Sequence, residues 1–382
     1  MLPNGCAPVY DYVHGRATGS PNCIAMQHQI FQLTKELISI QSDPGNTLAL
    51  NEILEFCITH LDGFTVQRFE RNGVKSALIH NQKPGHKHFE VILNGHLDVI
   101  PGKPDQYVPR VEGDKLFGVG AMDTKASVAA FILIFRELAH SLNYPIALQL
   151  TTDEEVGGLD STKYQVEQGI RADFVLAGEP TNFEIVNQAK GIFQAKITSY
   201  GEAVHSAYPW RGANAILRMN QFLNDLTRRF PIPSAEVWAT TVSVSRIETT
   251  NASFNKTPDN CTVWLDVRFV PEDMDSIKRD IASMMPKDFK LDINFHEPAL
   301  QTEATDPHLL VLAAATEQVR GVRTPIRSAN GSSDARHFTV IGCPGIEFGP
   351  IGGGIGSDAE WVSITSLGDH YEILKSFLKS LH

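Results

Sequence analysis

FEVILNGHLD, residues 89–98, begins with an apolar run, Phe89 to Leu93, and ends on a polar one that carries His96 and Asp98. The run has the length and composition of a buried strand. Open parallel sheets hold their ligands just beyond the carboxyl ends of such strands, so the H-x-D pair falls where chemistry is expected. There an imidazole nitrogen can take a metal while the nearby carboxylate orients it or raises its basicity. Taken alone, the same pair is more often ordinary surface chemistry.

On either side of this strand the pattern alternates. Gln29 to Ile40 and Leu48 to Leu61 place apolar residues at helical spacing, Asp123 to His140 reads as a long helix, and Ile146 to Leu150 as a strand. Ser161 to Gln168 is again helical and Phe174 to Ala177 strand-like. Strand–helix–strand succession predicts an α/β fold with a mostly parallel sheet and helices on both faces. After Gly191 the style changes. Strands at Ile192–Ser199, Val237–Ile247, Cys261–Phe269 and Phe289–Phe295 alternate with helices at Asn214–Arg229 and Met274–Met285. This β-α-β-β-α-β order is that of a small α+β domain. The expected organisation is therefore a catalytic domain, 26–191 and 302–382, interrupted by an inserted lid domain, 192–301. Hinges are expected near Lys190–Gly191 and Pro298–Thr302. Residues 1–25, rich in Gly, Pro and Asn, are expected to form a loosely held extension.

The 382 residues carry a formal charge of −11, with 42% hydrophobic and 20% charged residues. That is enough apolar material for sizeable cores, and the acidic balance argues against a nucleic-acid partner, which would need a basic footprint. The longest apolar run near the middle, Val128 to Phe135, is well short of the roughly 20 residues of a membrane span. No secretory h-region opens the chain. Five scattered cysteines (Cys6, Cys23, Cys57, Cys261 and Cys343) suit reduced thiols and a cytoplasmic location.

Three further carboxylate motifs follow predicted strands or precede a helix. Asp123 lies in GAMDTKA (120–126), where an N-cap is the plain alternative. Glu154 and Glu155 lie in DEEVGG (153–158), whose adjacent carboxylates repel one another unless cations neutralise them; a solvated acidic turn is the alternative. Glu179 lies in GEPT (178–181). From His96 to Asp123, Glu155 and Glu179 the spacings are 27, 32 and 24 residues, each about one strand–helix unit, which would bring all four ends to one rim.

With AVHSAYPWRGANAI (203–216) and SSDARHF (332–338), these motifs resemble in order and spacing the M20 family of metallopeptidases and amidohydrolases, from about residue 30 to the end. Desuccinylase and deacetylase members are the nearest in motif. The resemblance implies a di-zinc catalytic domain with a lid/dimerisation domain, a homodimer, and hydrolysis of an amide in an N-acyl amino acid or short peptide. It implies His96 and Glu179 on one metal, Asp123 as bridge, Glu155 on the second, Asp98 supporting His96, Glu154 as general base and His205 on the oxyanion. Co2+ or Mn2+ would also suit such a site. Asn255 and Arg268 match substrate-binding positions of the lid, although Arg268 could equally pair with Asp266 or Glu272. Ser332, Ser333, Asp334 and Arg336 would line the catalytic side of the pocket.

One departure matters. The family supplies a last ligand in H-x-x-x-E, and here Glu360 is in place while the histidine position is Gly356. Either Asp358 substitutes as an oxygen ligand, or the second site is weak and one tight metal remains, or hydrolysis has given way to ligand binding. Gly352-Gly353-Gly354 just upstream lacks the Lys-Ser/Thr of a phosphate cradle, so a flexible turn is expected.

Overall fold

The computed structural model describes residues 21–381, with side chains from residue 24 onward. The chain divides into two compact units. One comprises the chain up to Asn187, Gln301–Arg327 and Ser333–His382; the other is Gln188–Leu300 with Ser328–Ser332. The second unit thus begins a few residues before the expected insertion and takes in Ser332, which therefore belongs to a different unit from Ser333. Of the expected N-terminal extension, residues 1–20 lie outside the described residues. Residues 21–25 are already helical, because the first helix spans Pro21–Ile38.

The first unit is built on a mixed sheet whose centre is parallel. Its strands run Thr65–Arg71, Val74–His80, Ile146–Thr151, His88–His96, Arg171–Ala177, Gly345–Glu347 and Ile185–Ala189 in spatial order. His88–His96 pairs in parallel with both inner neighbours, setting Leu93 opposite Leu148 and Leu176, and His96 opposite Thr151. Strands in this register end at one rim, which carries His96, the 153–155 segment and Glu179 to a common edge.

The helix Ala126–Leu138 is apolar on nearly every side and almost wholly buried, as expected of a helix inside a core. It lies so close to the strand ends that a Cβ at Gly95 would stand 2.7 Å from Val128, and one at Gly178 would stand 2.6 Å from Ser127. This helix starts three residues later than its pattern predicts. Residues 121–125 form an irregular turn in which Asp123 has φ −115° and ψ 84°, so Asp123 caps no helix.

The antiparallel hairpin at 65–80 is absent from the expected elements, although Asn72-Gly73 marks it. Both residues adopt positive φ, 51° and 84°, as a two-residue hairpin turn requires. The expected turn at Gly352–Gly354 is instead partly a strand. Gly352–Gly353 pairs with Trp361–Ser363, which pairs in turn with Lys115–Phe117. Gly352 has no room for a Cβ against the Trp361 carbonyl and Met122. This small sheet presses the 354–360 loop against residues 118–123.

In the second unit, strands Thr241–Glu248, Asn260–Phe269, Gly191–Tyr200 and Lys290–Glu297 form an antiparallel sheet in that order. Helices Ala215–Arg229 and Ile277–Met284 bring Met219, Phe222 and Ile281 against Phe193, Ile197, Val263 and Val267 in one core. Asn214 caps the longer helix by accepting from the Ile216 and Leu217 N–H groups. Among the described residues, no helix is long and apolar enough to cross a membrane.

Candidate metal centre

The rim of the parallel sheet gathers one imidazole and two carboxylates. His96, Asp123 and Glu179 each offer a ligand atom, and these atoms lie within 4.8 Å of one another. His96 is buried at the end of its strand, with Nε2 3.0 Å from Asp123 Oδ1. Its Nδ1 lies 2.9 Å from the backbone carbonyl oxygen of Asp98. That bond fixes the ring and leaves Nε2 to the carboxylate side, which is how a ligating histidine is usually oriented.

Asp98 orients His96 differently from expectation. Its carboxylate stands 3.7 Å from His96 Nδ1 and is occupied elsewhere, accepting from the Glu154 and Glu155 backbone N–H groups at 3.2 and 2.9 Å. The H-x-D motif therefore joins two rim segments: the backbone of Asp98 holds the imidazole, and its side chain holds the acidic loop. Asp153, the third carboxylate of that loop, is structural. It accepts from the Asp160 N–H at 2.8 Å and from the Ser161 hydroxyl, closing the turn.

Glu155 is not one of the three gathered ligands. One of its oxygens accepts from the Ile100 N–H at 3.2 Å, and the side chain lines a cavity of about 80 Å³ with Val99, Ile100, Gly120, Asp123, Ile355, Gly356 and Glu360. Glu360 lines this cavity but commits most of its acceptor capacity to the backbone. Its carboxylate accepts from the N–H groups of Gly120, Met122 and Asp123 at 3.0, 2.8 and 3.0 Å, holding the turn that presents Asp123. Asp358, expected as a replacement ligand, is an exposed surface residue paired with Lys103, and it is not among the residues lining the cavity. An exposed carboxylate with a lysine at hand has no electrostatic reason to turn inward.

Glu154 is largely buried, with Arg336 Nη1 3.9 Å from its Oε1. Arg336, expected to line the pocket, is itself buried and braces the acidic loop, donating to the Gly157 and Ser333 carbonyls at 2.6 Å each. Asp334 accepts from the Thr162 and Thr151 hydroxyls and sits so close to Gly158 that a Cβ there would collide with it. Gly158 also has φ +62°, so glycine is required twice over.

The electrostatics are those of anions crowded out of water. Burial, with the charges of Asp334 and Asp98 beside it, pushes the Glu154 carboxyl well above the carboxylate range. Burial and the Glu154 charge do the same to Glu179. Burial brings Glu155 and Glu360 up to about 7. Although burial alone would lower it, the bond to Asp123 and the charges of Glu179, Asp123 and Glu154 hold the His96 imidazole well above its ordinary value. A divalent cation at the three-residue centre would relieve this crowding, and imidazole-plus-carboxylate is a donor set that suits zinc and other first-row ions. The residues present fit a metal.

Two buried ionisable groups of this region were not singled out in the sequence. Lys125 donates from Nζ to the Ile40 carbonyl at 3.1 Å, and burial pulls its ammonium down to about 7. Glu347 ends a short buried strand, and burial pushes it up to about 7 against the neighbouring Ser333 hydroxyl. A charged residue inside an apolar run, as in GIEFG (345–349), was the available signal for the second.

In the second unit, His205 and Asn255 share one pair of segments. His205 bridges Lys256, and the Ser206 N–H donates to the Asn255 carbonyl at 2.9 Å. His205 is exposed. Arg268 is paired in this structure with Asp266, to whose carboxylate Nε and Nη2 donate at 2.7 and 3.3 Å, and Gln194 donates to the same group. Despite its partial burial, the bonds from Arg268 and Gln194 lower the Asp266 carboxyl.

A cluster of buried acids around one histidine, set at the C-terminal rim of a parallel sheet, defines a metal-dependent hydrolase, and comparison with known proteins agrees. The family model described as peptidase family M20/M25/M40 matches residues 92–380. The chain belongs to this family of metallopeptidases and amidohydrolases and is a hydrolase. It is 26% identical over 367 residues to the succinyl-diaminopimelate desuccinylase of Sulfurimonas denitrificans, covering 91% of this chain and 98% of that one. Against the enzyme so named from Cupriavidus necator, identity is 30% over 325 residues, covering 76% and 82%. Among solved structures, the aminopeptidase PepT of Bacillus cereus superposes with a TM-score of 0.75 at 19% identity, covering 92% of this chain and 98% of that one. A Bacillus subtilis M20 peptidase described as dinuclear metal-binding gives 0.66 at 14% identity, covering 94% and 99%.

Proposed function

We propose that this hydrolase removes the acyl group from an N-acyl amino acid, using water activated at a zinc centre with Glu154 as general base. The observation that carries this reading is the pairing of a three-residue ligand set, His96, Asp123 and Glu179, with a fourth buried carboxylate, Glu154, that is not among those ligands. A divalent ion held there supplies polarisation of the amide carbonyl and a more acidic water. Glu154 takes the water's proton at its carboxylate and delivers it to the leaving amine nitrogen. Burial raises the affinity of its carboxyl for protons, which makes it a stronger base than an exposed carboxylate. Arg336, bonded to the Gly157 carbonyl, keeps the 154–157 loop at the rim. In this reading His205 stabilises the oxyanion, and Asn255 and Arg268 bind the substrate's carboxylate side.

The choice of an N-acyl amino acid over a dipeptide is supported by the desuccinylase relatives, which span nearly the whole chain. A homodimer through the second unit and a cytoplasmic location belong to the same proposal; the buried free thiols of Cys57, Cys261 and Cys343 are in keeping with the latter. The test is hydrolysis of N-succinyl and N-acetyl amino acids beside dipeptides, with zinc, cobalt or manganese added. Acyl amino acids should turn over fastest. Preference for dipeptides would move the enzyme to the peptidase side, and inactivity across the whole panel would overturn the proposal.

A further inference from the structure

The acidic rim offers two places for a cation, and they differ in donor chemistry. The first is the set His96, Asp123 and Glu179. The second is the cavity of about 80 Å³ between Asp123 and Glu155. Three carboxylates border that cavity, but Glu360 commits most of its acceptor capacity to three backbone N–H groups, and Glu155 is oriented by one from Ile100. What remains is the carboxylates of Glu155 and Asp123, the latter with one oxygen facing His96. Among the described residues, no imidazole or thiolate lines the cavity. The wall where one would stand is Gly356, whose Cβ, if built, would meet nothing within 4 Å. Asp358 has gone to Lys103.

Tight four-coordinate zinc sites are made with nitrogen or sulfur among the donors, and affinity falls when only a pair of carboxylates is available. We infer that this hydrolase holds one divalent ion tightly, at His96, Asp123 and Glu179, and that the Gly356 cavity is an open ligand position which an imidazole introduced there converts into a second tight site. The inference rests on the metal-dependent reading above and goes beyond it in fixing how many ions the chain retains and which position decides that number.

The experiment counts metal rather than turnover. The full-length protein is saturated with zinc, dialysed against metal-free buffer, and assayed for ions per chain by mass spectrometry. The wild type should retain about one ion and Gly356→His about two. Glu155→Gln should leave the wild-type count unchanged, since Glu155 lies outside the three-residue set. A wild-type count of about two overturns the inference while leaving the metal-dependent hydrolase intact; a count near zero overturns both. A folded Gly356→His protein that stays at one ion overturns the assignment of the cavity.

Gly356 has φ +72°, a conformation in which histidine is better tolerated than most side chains but still strained. Should the variant fail to fold, free imidazole added to the wild type during equilibrium dialysis in excess zinc replaces it. A rise toward two ions supports the inference, and no rise overturns it.

Discussion

The acidic rim of the first unit and the exposed candidates of the second unit treat charge in opposite ways. At the rim, His96, Glu154 and Glu179 are buried or nearly so, and the carboxylates of Asp98 and Glu360 are pinned by backbone N–H groups. In the second unit His205 is exposed, and Arg268 is satisfied by an aspartate two residues away on the same strand. Like charges kept from water are costly unless something compensates them, so a buried cluster implies a cation. A half-exposed ion pair has an inexpensive local solution and implies nothing further. Burial, more than residue type, separates the two regions.

The largest effects that would test this contrast lie at Glu154 and His96. Glu154→Gln keeps the volume and removes the base, so kcat should fall by about 10²–10⁴-fold while the metal count stays at the wild-type value. His96→Ala should abolish activity by a different route, through loss of the ion itself. If Glu154→Gln lost metal as readily as His96→Ala, Glu154 would be a ligand and the separation of base from ligand set would fail.

Asp98 comes next. Asp98→Asn keeps the backbone carbonyl that orients His96 but loses half of the carboxylate clamp on the Glu154 and Glu155 N–H groups. A cost of about 10–100-fold in activity is expected, with zinc affinity reduced less than activity, because the imidazole support survives. Equal losses in the two would return Asp98 to the role its motif first implied, direct support of the imidazole. In the second unit, Arg268→Ala should raise KM about 10-fold with little change in kcat if the guanidinium leaves Asp266 for substrate. Unchanged KM would leave Arg268 as one half of a strand-face ion pair.

The parts of this site legible in the sequence are those fixed by chain topology. One helix–strand unit between successive motifs is enough to carry the chain from Asp123 to Glu155 and from Glu155 to Glu179, but the 27 residues from His96 to Asp123 hold instead a short hairpin, Arg110–Glu112 with Lys115–Phe117, of the small sheet; the β-α-β-β-α-β pattern marks the second unit. The parts that were not legible are set by where a backbone N–H happens to point. Nothing in NGHLD distinguishes a carboxylate that supports the imidazole from one that clamps a neighbouring loop. Nothing in GSDAE says that Asp358 faces Lys103 while Glu360 faces three amides. The hairpin at 65–80 is a different omission, because Asn72-Gly73 signalled it and the mixed polarity of its first strand concealed it. Gly356 was readable as an absent ligand, but that it borders a cavity shared with Asp123 and Glu155 required the fold.

The smallest effect concerns a buried base with no acid beside it. His370 lies in the helix Ile364–Lys379 among Phe131, Phe183 and Phe348, with ring centroids 5.9–6.2 Å away, and neither of its ring nitrogens has a hydrogen-bond partner among the described residues. Burial lowers its pKa to about 3, where His96, equally buried but surrounded by carboxylates, is raised. The two histidines therefore separate burial from charge. In the unfolded chain His370 takes up a proton as pH falls below about 6.5, whereas in the folded chain it does not until about 3. Above pH 6.5 the buried ring carries no protonation penalty, and below it stability is lost as pH falls toward 3. At about 1.4 kcal/mol per pH unit, the loss between pH 6.5 and 5 is about 2 kcal/mol. His370→Phe, an aromatic in an aromatic pocket, has no proton to take up, so its urea-unfolding free energy should fall less over that interval by the same amount. All other titrating groups are common to both proteins and cancel in the difference. Parallel pH profiles for the two proteins would show that His370 finds a proton or a partner in the fold, and that burial alone does not set the titration of histidines in this unit.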